Sequence, residues 1–421
     1  MLAAVFVAVF VAGLAAPAGA QAQPMTPEGS TPASAVSASP TPSASPAADA
    51  ARDRVDALLR GGHADPAWFA AVFLAQVSPA QVDAIVAQLR AALGAYRSVD
   101  GAKGVYTAHF EKGTDEVRIH LDGEAKIDGL FFRPPVIAAS SLDDALDRFR
   151  HLDGSVTYLL TVGTDGRSER AAHDPATPQA VGSAFKLAVL AAVGDEIAAG
   201  RRHWDEVVPL DPAWKSLPSG VMAGWPNGLP VTLATYAAQM ISISDNTAAD
   251  ALIRIAGPDA LARYAESNQP FLTTRQAFTL KSKGAAALRD AYLAAASPSA
   301  RAAVLARIDG LPLPAPADIE SKPTLGIEWH YSVRDLCRLM GRVADLPLMT
   351  INPGIADAAR FARVAFKGGS DVGVINFTTQ ATTVAGATFC FSATLNNSSQ
   401  SVDEHAFANA VGAVLGLLAR D

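Results

Sequence analysis

The spacing of hydrophobic positions changes repeatedly along the chain, and each change predicts a different kind of element. Residues 1–20, MLAAVFVAVFVAGLAAPAGA, are almost wholly apolar and end in Ala18-Gly19-Ala20 behind Pro17. An apolar run leading into a small-x-small triplet is the pattern of a cleaved export signal. The run also approaches spanning length, so an uncleaved membrane anchor stays open as the alternative. On either reading the remainder is expected to be periplasmic or secreted, with no stable membrane insertion once the signal is removed. Residues 21–49 are Pro, Ser, Ala and Thr with scarcely any large apolar side chain, which predicts a disordered linker.

From residue 50 a helical period sets in. It runs through ARDRVDALLR, then DPAWFAAVFLAQV behind the candidate N-cap Asp65, then SPAQVDAIVAQLRAAL with Ser78 as N-cap and Pro79 in the first turn. A period of two takes over in GVYTAHF, EVRIHL and KIDGLFF, divided by turns at Lys112-Gly113-Thr114 and Asp122-Gly123. Helices followed by a meander predict a small α+β domain over residues 50–136. Its strands show no obvious buried acid, so a structural or substrate-framing role is expected.

Residues 137–421 form the second expected domain. The helix SLDDALDRFR starts at Ser141 with acids in its first turn, where the helix dipole favours them. SVTYLLTV and RSERAAH read as a hairpin about Asp165-Gly166, and residues 183–345 are mostly helical. Three strand patterns follow, RVAFKGG, GVINFTTQATTV and ATFCFSATLNN, and then a last helix, EHAFANAVGAVLGLLAR. This order predicts one antiparallel sheet flanked by helices, its first and last segments pairing across the sheet. The fold class is α+β.

Composition narrows the function. A net charge of -7, from 34 basic and 41 acidic residues with no basic cluster, argues against a nucleic-acid partner. Cys337 and Cys390 are the only cysteines, one in the helical pattern DLCRLM and one in the strand pattern ATFCFSA. Two buried thiols are expected, although an exported chain permits a disulfide. With eight histidines and no Cys/His cluster, no metal or other cofactor is implied. Lysine is scarce, nine against 25 arginines, so each lysine is informative.

One of these lysines sits in VGSAFKLAVLAAV, residues 181–193. Ser183 and Lys186 are three apart, on one face of a helix, so hydroxyl and amine can meet. Serine is a weak nucleophile until a base takes its proton, and lysine is a base only when an apolar surrounding disfavours its charge. A helix N-terminus adds backbone N–H groups for an oxyanion. A second signal is Ser244-Asp245-Asn246, a polar triplet interrupting the apolar run MISISDNTAADALI. Such residues also cap helices. A third is Lys367-Gly368-Gly369-Ser370, where two glycines between apolar strands mark a turn or a close backbone approach.

Together, in this order, the three resemble S-x-x-K, S-D-N and K-T-G, the signature of the serine β-lactamase and penicillin-binding protein superfamily. The 61-residue interval from Ser183 to Ser244 is similar to that of class A β-lactamases. The resemblance covers about residues 138–421. It implies an acyl-enzyme on Ser183, Lys186 as general base and Ser244 relaying the proton to the leaving group. Asn246 would hold the substrate's side-chain amide, and Lys367 would face its carboxylate. The N–H groups of Ser183 and Ser370, beside Gly369, would form the oxyanion hole, while Asp245 would brace the loop. The implied partner is a small molecule: a β-lactam, a related ester or amide, or a cell-wall peptide.

Two departures qualify the match. Gly368 stands where a Thr or Ser hydroxyl usually helps hold the carboxylate. The E-x-x-L-N loop that activates the deacylating water has no counterpart, because NQPFLTTRQAFTLKSK contains no acid. Glu266 and Glu328 are the nearest candidates. Deacylation is therefore expected to be slow, and a penicillin-recognising sensor or a D,D-peptidase-like enzyme is the alternative to a hydrolase of β-lactams. Stretches such as PFLTTR, EWHYSVRDLC and FKGGSDVGV resemble a narrower group, the two-domain β-lactamase-like proteins of clavulanic acid biosynthesis clusters. These join a steroid-isomerase-like (NTF2-like) domain to the hydrolase and imply esterase action on cephalosporin-type esters.

Overall fold

A computed structural model describes residues 46–132, 135–163, 168–265 and 268–420. The expected signal, nearly all of the linker, the Asp165-Gly166 turn and Glu266 lie outside the described residues. The chain divides between Ala138 and Ala139 into two compact units. Among the described residues no helix is long and apolar enough to cross a membrane.

In the first unit, helix α1 (Pro46–Gly61) begins inside the expected linker and buries Val55, Leu58 and Leu59 on one face. Asp65 caps a turn as expected, its carboxylate accepting from Ala67 N at 2.9 Å. The helix expected behind it is broken, however. Pro66–Trp68 form a 3-10 turn, and only α2 (Ala71–Leu74) is α-helical. Ala70 N donates to Ile127 O instead, so pairing with the sheet overrides helical propensity there. Helix α3 (Pro79–Leu93) has the capping box of Ser78 with Gln81, and Val82, Val86, Leu89 and Leu93 form its buried stripe.

Strands β1 (Tyr96–Ala102), β2 (Val105–Phe110), β3 (Gly113–Leu121) and β4 (Ile127–Phe132) lie in sequence order, with β5 (Val136–Ile137) also paired to β3. The expected boundary at residue 136 thus cuts a strand of the first unit. The polar sequence of β1, with Val99 its one buried residue, concealed that strand. The expectation of no buried acid is also overturned. Asp115, on the inward face of β3 with Val117, is 1% exposed, and neither carboxylate oxygen has a partner among the described residues. Burial, and secondarily the charge of Glu116, push its pKa up to about 8.

The second unit opens with α4 (Leu142–Asp147), capped by Ser141, then β6 (Ser155–Val162), β7 (Ser168–His173) and the short β8 (Gln179–Ala180). Its helical block comprises α5 (Lys186–Ala198), α6 (Leu233–Ser242), α7 (Asn246–Ala262), α8 (Thr274–Lys281), α9 (Ala286–Ala294), α10 (Pro298–Ile308) and α11 (Val333–Val343). Two small ribbons are set among these helices: β9 (Val207–Pro209) with β10 (Pro230–Thr232), and β8 with β11 (His330–Tyr331). The chain ends in β12 (Phe361–Asp371), β13 (Val374–Thr383), β14 (Thr388–Asn396) and α12 (Glu404–Leu418).

The main sheet has the order β12-β13-β14-β6-β7, antiparallel throughout. The first and last strand groups pair, from Phe389 with Val162 to Asn396 with Ser155. Along β14 the period of two sorts the side chains. Phe389, Phe391, Ala393 and Leu395 pack in one core with α4 and α12, while Cys390 points to α11. There the expectation of free thiols fails, because Cys337 and Cys390 form a disulfide. Packing α11 on the sheet brings a helix residue and a strand residue 53 positions apart to a Cα separation of 5.9 Å. Helix α5 is buried from Lys186 through Val193, the position of a helix that is apolar all round.

Candidate active site

Ser183 lies in a 3-10 turn, Gly182–Phe185, that runs directly into α5. Lys186 follows one turn later and is fully buried. Its Nζ is 3.1 Å from Ser183 Oγ and 3.1 Å from Ser244 Oγ. It also donates to Ser244 O at 2.6 Å and to Asn246 Oδ1 at 2.7 Å. A neutral amine has two N–H donors and one lone pair. The two oxygens that can only accept take both donors, which leaves the lone pair for a hydroxyl proton. Burial, and then the charge of Lys367, hold the Lys186 pKa well below the ordinary lysine value, against weaker pull from Asp245 and Asp250. The neutral form of the amine is therefore favoured far more than in an ordinary lysine.

Ser244 has φ 58°, the left-handed region, which for a non-glycine costs on the order of 1–3 kcal/mol. Hydrogen bonds to its carbonyl from Lys186 Nζ and from Ser219 Oγ, each 2.6 Å, hold it there. Asp245 braces the loop: it caps α7 through Ala248 N at 2.9 Å and accepts from Val221 N and Met222 N at 2.6 and 2.8 Å. Asn246 lines the cavity where a substrate contact is expected, and it is also tied to the protein. Its Oδ1 receives Lys186 and its Nδ2 donates to Leu217 O at 3.0 Å, so both ends of the amide are engaged inside the protein.

Strand β12 closes the site. Lys367 Nζ is 3.0 Å from Ser244 Oγ and also donates to Gly368 O, so the Ser244 hydroxyl bridges two lysines. Burial lowers the Lys367 pKa to about 7. A Cβ at Gly369 would stand 2.4 Å from Ser183 N and 2.2 Å from Val181 O, so only glycine lets the strand approach the nucleophile's turn. Gly182, at φ 50°, meets the strand from the other side, its Cβ position 2.9 Å from Ser370 N. Ser183 N and the Gly369-Ser370 backbone thus flank one spot. Ser183, Ser244, Asn246, Lys367, Gly369 and Ser370 line one cavity of about 590 Å³, large enough for a drug-sized ligand.

Further residues shape the site. Trp329 stacks on Phe185 with ring centroids 3.8 Å apart, and its carbonyl accepts from Val181 N at 3.0 Å, fixing the approach to Ser183. Buried Asp250 accepts from Thr274 N at 2.6 Å and Arg275 N at 2.9 Å and so seats the start of α8, whose Thr274, Ala277 and Phe278 line the cavity. Helix α8 itself contributes no carboxylate to the cavity. At the end of α8, buried Lys281 donates to Glu328 Oε1 and, at 2.5 Å, to Asp371 Oδ2. Sequence reasoning singled out Glu328 without a position for it and passed over Lys281 and Asp371. The scarcity of lysine was the one signal that pointed to Lys281.

With this geometry in hand, comparison with known proteins narrows the relationship. Residues 141–311 match the beta-lactamase enzyme family. The match includes Ser183, Lys186, Ser244 and Asn246 and ends before β12. The described helices and antiparallel sheet of residues 139–420 make a β-lactamase-like fold. Similar solved structures include a β-lactamase from Sphaerobacter thermophilus, 22% identical, TM-score 0.45, covering 66% of this chain and 95% of that one. A β-lactamase from Desulfarculus baarsii is 18% identical with TM-score 0.45, covering 66% and 99%. PBP-A is 14% identical with TM-score 0.45, covering 68% and 98%. No curated protein matches the chain.

Proposed function

We propose that the β-lactamase-like unit is an exported serine hydrolase that forms an acyl-enzyme at Ser183 on β-lactams or related esters and amides. One observation carries this reading: a fully buried amine 3.1 Å from the hydroxyls of both Ser183 and Ser244. In the proposed sequence, the Lys186 lone pair takes the Ser183 proton as Oγ attacks the acyl carbon. The N–H groups of Ser183 and Ser370 stabilise the oxyanion. Lys186 then returns the proton through Ser244 to the departing nitrogen or oxygen, and the Lys367 ammonium faces the substrate carboxylate. Export to the periplasm or medium belongs to the same reading, as does the likeness to the two-domain proteins of clavulanic acid clusters, with the first unit as their steroid-isomerase-like module.

A second reading has its own support. Helix α8 offers Thr274, Ala277, Phe278 and Lys281 but no carboxylate of its own, and Lys281 ties up the cavity's Glu328 and Asp371, which favours slow deacylation and a sensor or D,D-peptidase-like protein over a fast β-lactamase. One experiment separates the two. The protein is incubated with a fluorescent penicillin, a chromogenic cephalosporin and a cephalosporin ester. Turnover that vanishes in Ser183→Ala supports the hydrolase, and persistent label without turnover supports the sensor. Absence of both label and turnover refutes the acyl-enzyme.

A further inference from the structure

Lys367, Gly369 and Asp371 occupy alternate positions of β12 and so share one face of the strand. Gly369 is where the Ser183 turn touches the strand. Four residues of strand span ~13 Å, so Lys367 and Asp371 stand on opposite sides of the nucleophile, each ~6–7 Å along the strand from it. The two ends differ in charge. At the Lys367 end are two lysines, Lys186 and Lys367, with serine hydroxyls and carbonyl oxygens about them. At the Asp371 end one lysine, Lys281, serves two carboxylates, Glu328 and Asp371, and all three line the cavity. Lys281 occupies Glu328 Oε1 and Asp371 Oδ2, and Asp371 Oδ1 accepts from Val372 N at 2.6 Å. Glu328 Oε2 is buried with no partner among the described residues, and the side chain of Asp371 remains 28% exposed.

A buried carboxylate oxygen without a donor is costly: burial pushes the Glu328 pKa up to about 7, and with Asp371 drawing on the same lysine the wall is short of donors for two carboxylates. We propose that the Glu328–Asp371 wall binds an alkylammonium group of the substrate, so that the site selects acyl donors with a carboxylate on the Lys367 side of the scissile carbonyl and an ammonium on the other. The inference rests on the acyl-enzyme reading and adds the substrate class. The ammonium supplies the donors that the two carboxylates lack, and the opposed charges orient the substrate along β12 with its carbonyl at Ser183.

Two penicillins that differ only in this group test it: the phenylglycyl penicillin, with an α-ammonium, and the phenylacetyl penicillin, without one. Second-order acylation rates of the full chain are measured by competition with a fluorescent penicillin and by intact mass. The expected ratio favours the ammonium compound by about tenfold or more, as a charge-assisted hydrogen bond implies. In Glu328→Gln and in Asp371→Asn, each checked for folding by circular dichroism, the ratio falls toward one. A wild-type ratio near one overturns the inference and leaves the acyl-enzyme standing. A ratio that persists in both variants also overturns it, because the ammonium is then read elsewhere. The same holds if Glu328→Gln slows only the loss of label, which would make Glu328 a hydrolytic base. Acylation by neither penicillin removes the acyl-enzyme reading and this inference together.

Discussion

Lys186 and Lys281 are both buried, one behind the hydroxyls of Ser183 and Ser244 and the other in the cavity wall, and their surroundings shift their pKa values in opposite directions. Burial disfavours the charge of each. Around Lys186 the hydrogen-bond partners are neutral oxygens, and the strongest charge acting on it is that of another lysine, Lys367, so the pKa falls well below the ordinary value. Around Lys281 burial is outweighed by the carboxylates of Glu328 and Asp371, and the pKa ends above the ordinary value. One lysine is thereby pushed toward the neutral amine and the other held as a cation. Two of the buried aspartates repeat the lesson. Asp250, which accepts two backbone N–H groups, is pushed by burial only to about 6, whereas Asp115, with no partner among the described residues, reaches about 8. Burial sets the penalty, and the partners decide how much of it survives.

The sharpest way to break this contrast is to remove each lysine in turn. Lys186→Met is expected to slow penicillin acylation by about 10³-fold or more, the scale of a lost general base, while changing stability by no more than about 2 kcal/mol. Rate and chemical denaturation measured on the same sample check both halves, and normal labelling of this variant would refute its role as base. Lys281→Met should do the reverse to stability, lowering it by about 3–5 kcal/mol, because two carboxylates lose the cation between them. A denaturation midpoint equal to that of the wild type would show that the carboxylates are not held as described.

Asp115 extends the comparison to the first unit. Its folded pKa is raised above the ordinary 3.8. The protonated form is therefore favoured on folding, and the stability this gives is present in acid and lost as pH rises toward about 8. Asp115→Asn should remove that dependence, gaining about 3 kcal/mol relative to wild type between about pH 5 and pH 7. Parallel denaturation curves for the two proteins at both pH values would contradict it. The smallest effect concerns Lys367, whose pKa of about 7 leaves it charged below neutrality and neutral above. For a carboxylate-bearing substrate, kcat/KM should fall above neutrality by up to about tenfold per pH unit, through the loss of the free enzyme's cation. The substrate's methyl ester should show no such limb.

The parts of the molecule legible in the sequence were those governed by neighbours along the chain. Ser78 with Gln81, the stripe Val82-Val86-Leu89-Leu93 and the alternation of β14 each follow from spacing within one element. The Ser183–Lys186 pair was legible for the same reason, being three residues apart on one turn. Misreadings came where a distant segment intervened. The helix behind Asp65 broke because Ala70 pairs with Ile127. The thiols became a disulfide because α11 packs on the sheet. Asp115 looked like a surface acid in the polar stretch GTDEV, until pairing with β2 and β4 turned its side of β3 inward.

By itself, then, the sequence determined the order of elements, the α+β class and the side chains available for chemistry, since backbone periodicity and caps act over a few residues. The tertiary structure decided which lysine is pushed toward neutrality and which is held charged, and that Lys281, Glu328 and Asp371, separated by 47 and 90 positions from the lysine, meet at one wall. A pKa is a sum over everything that surrounds a group in space, and for a buried group nearly all of that sum comes from elsewhere in the chain.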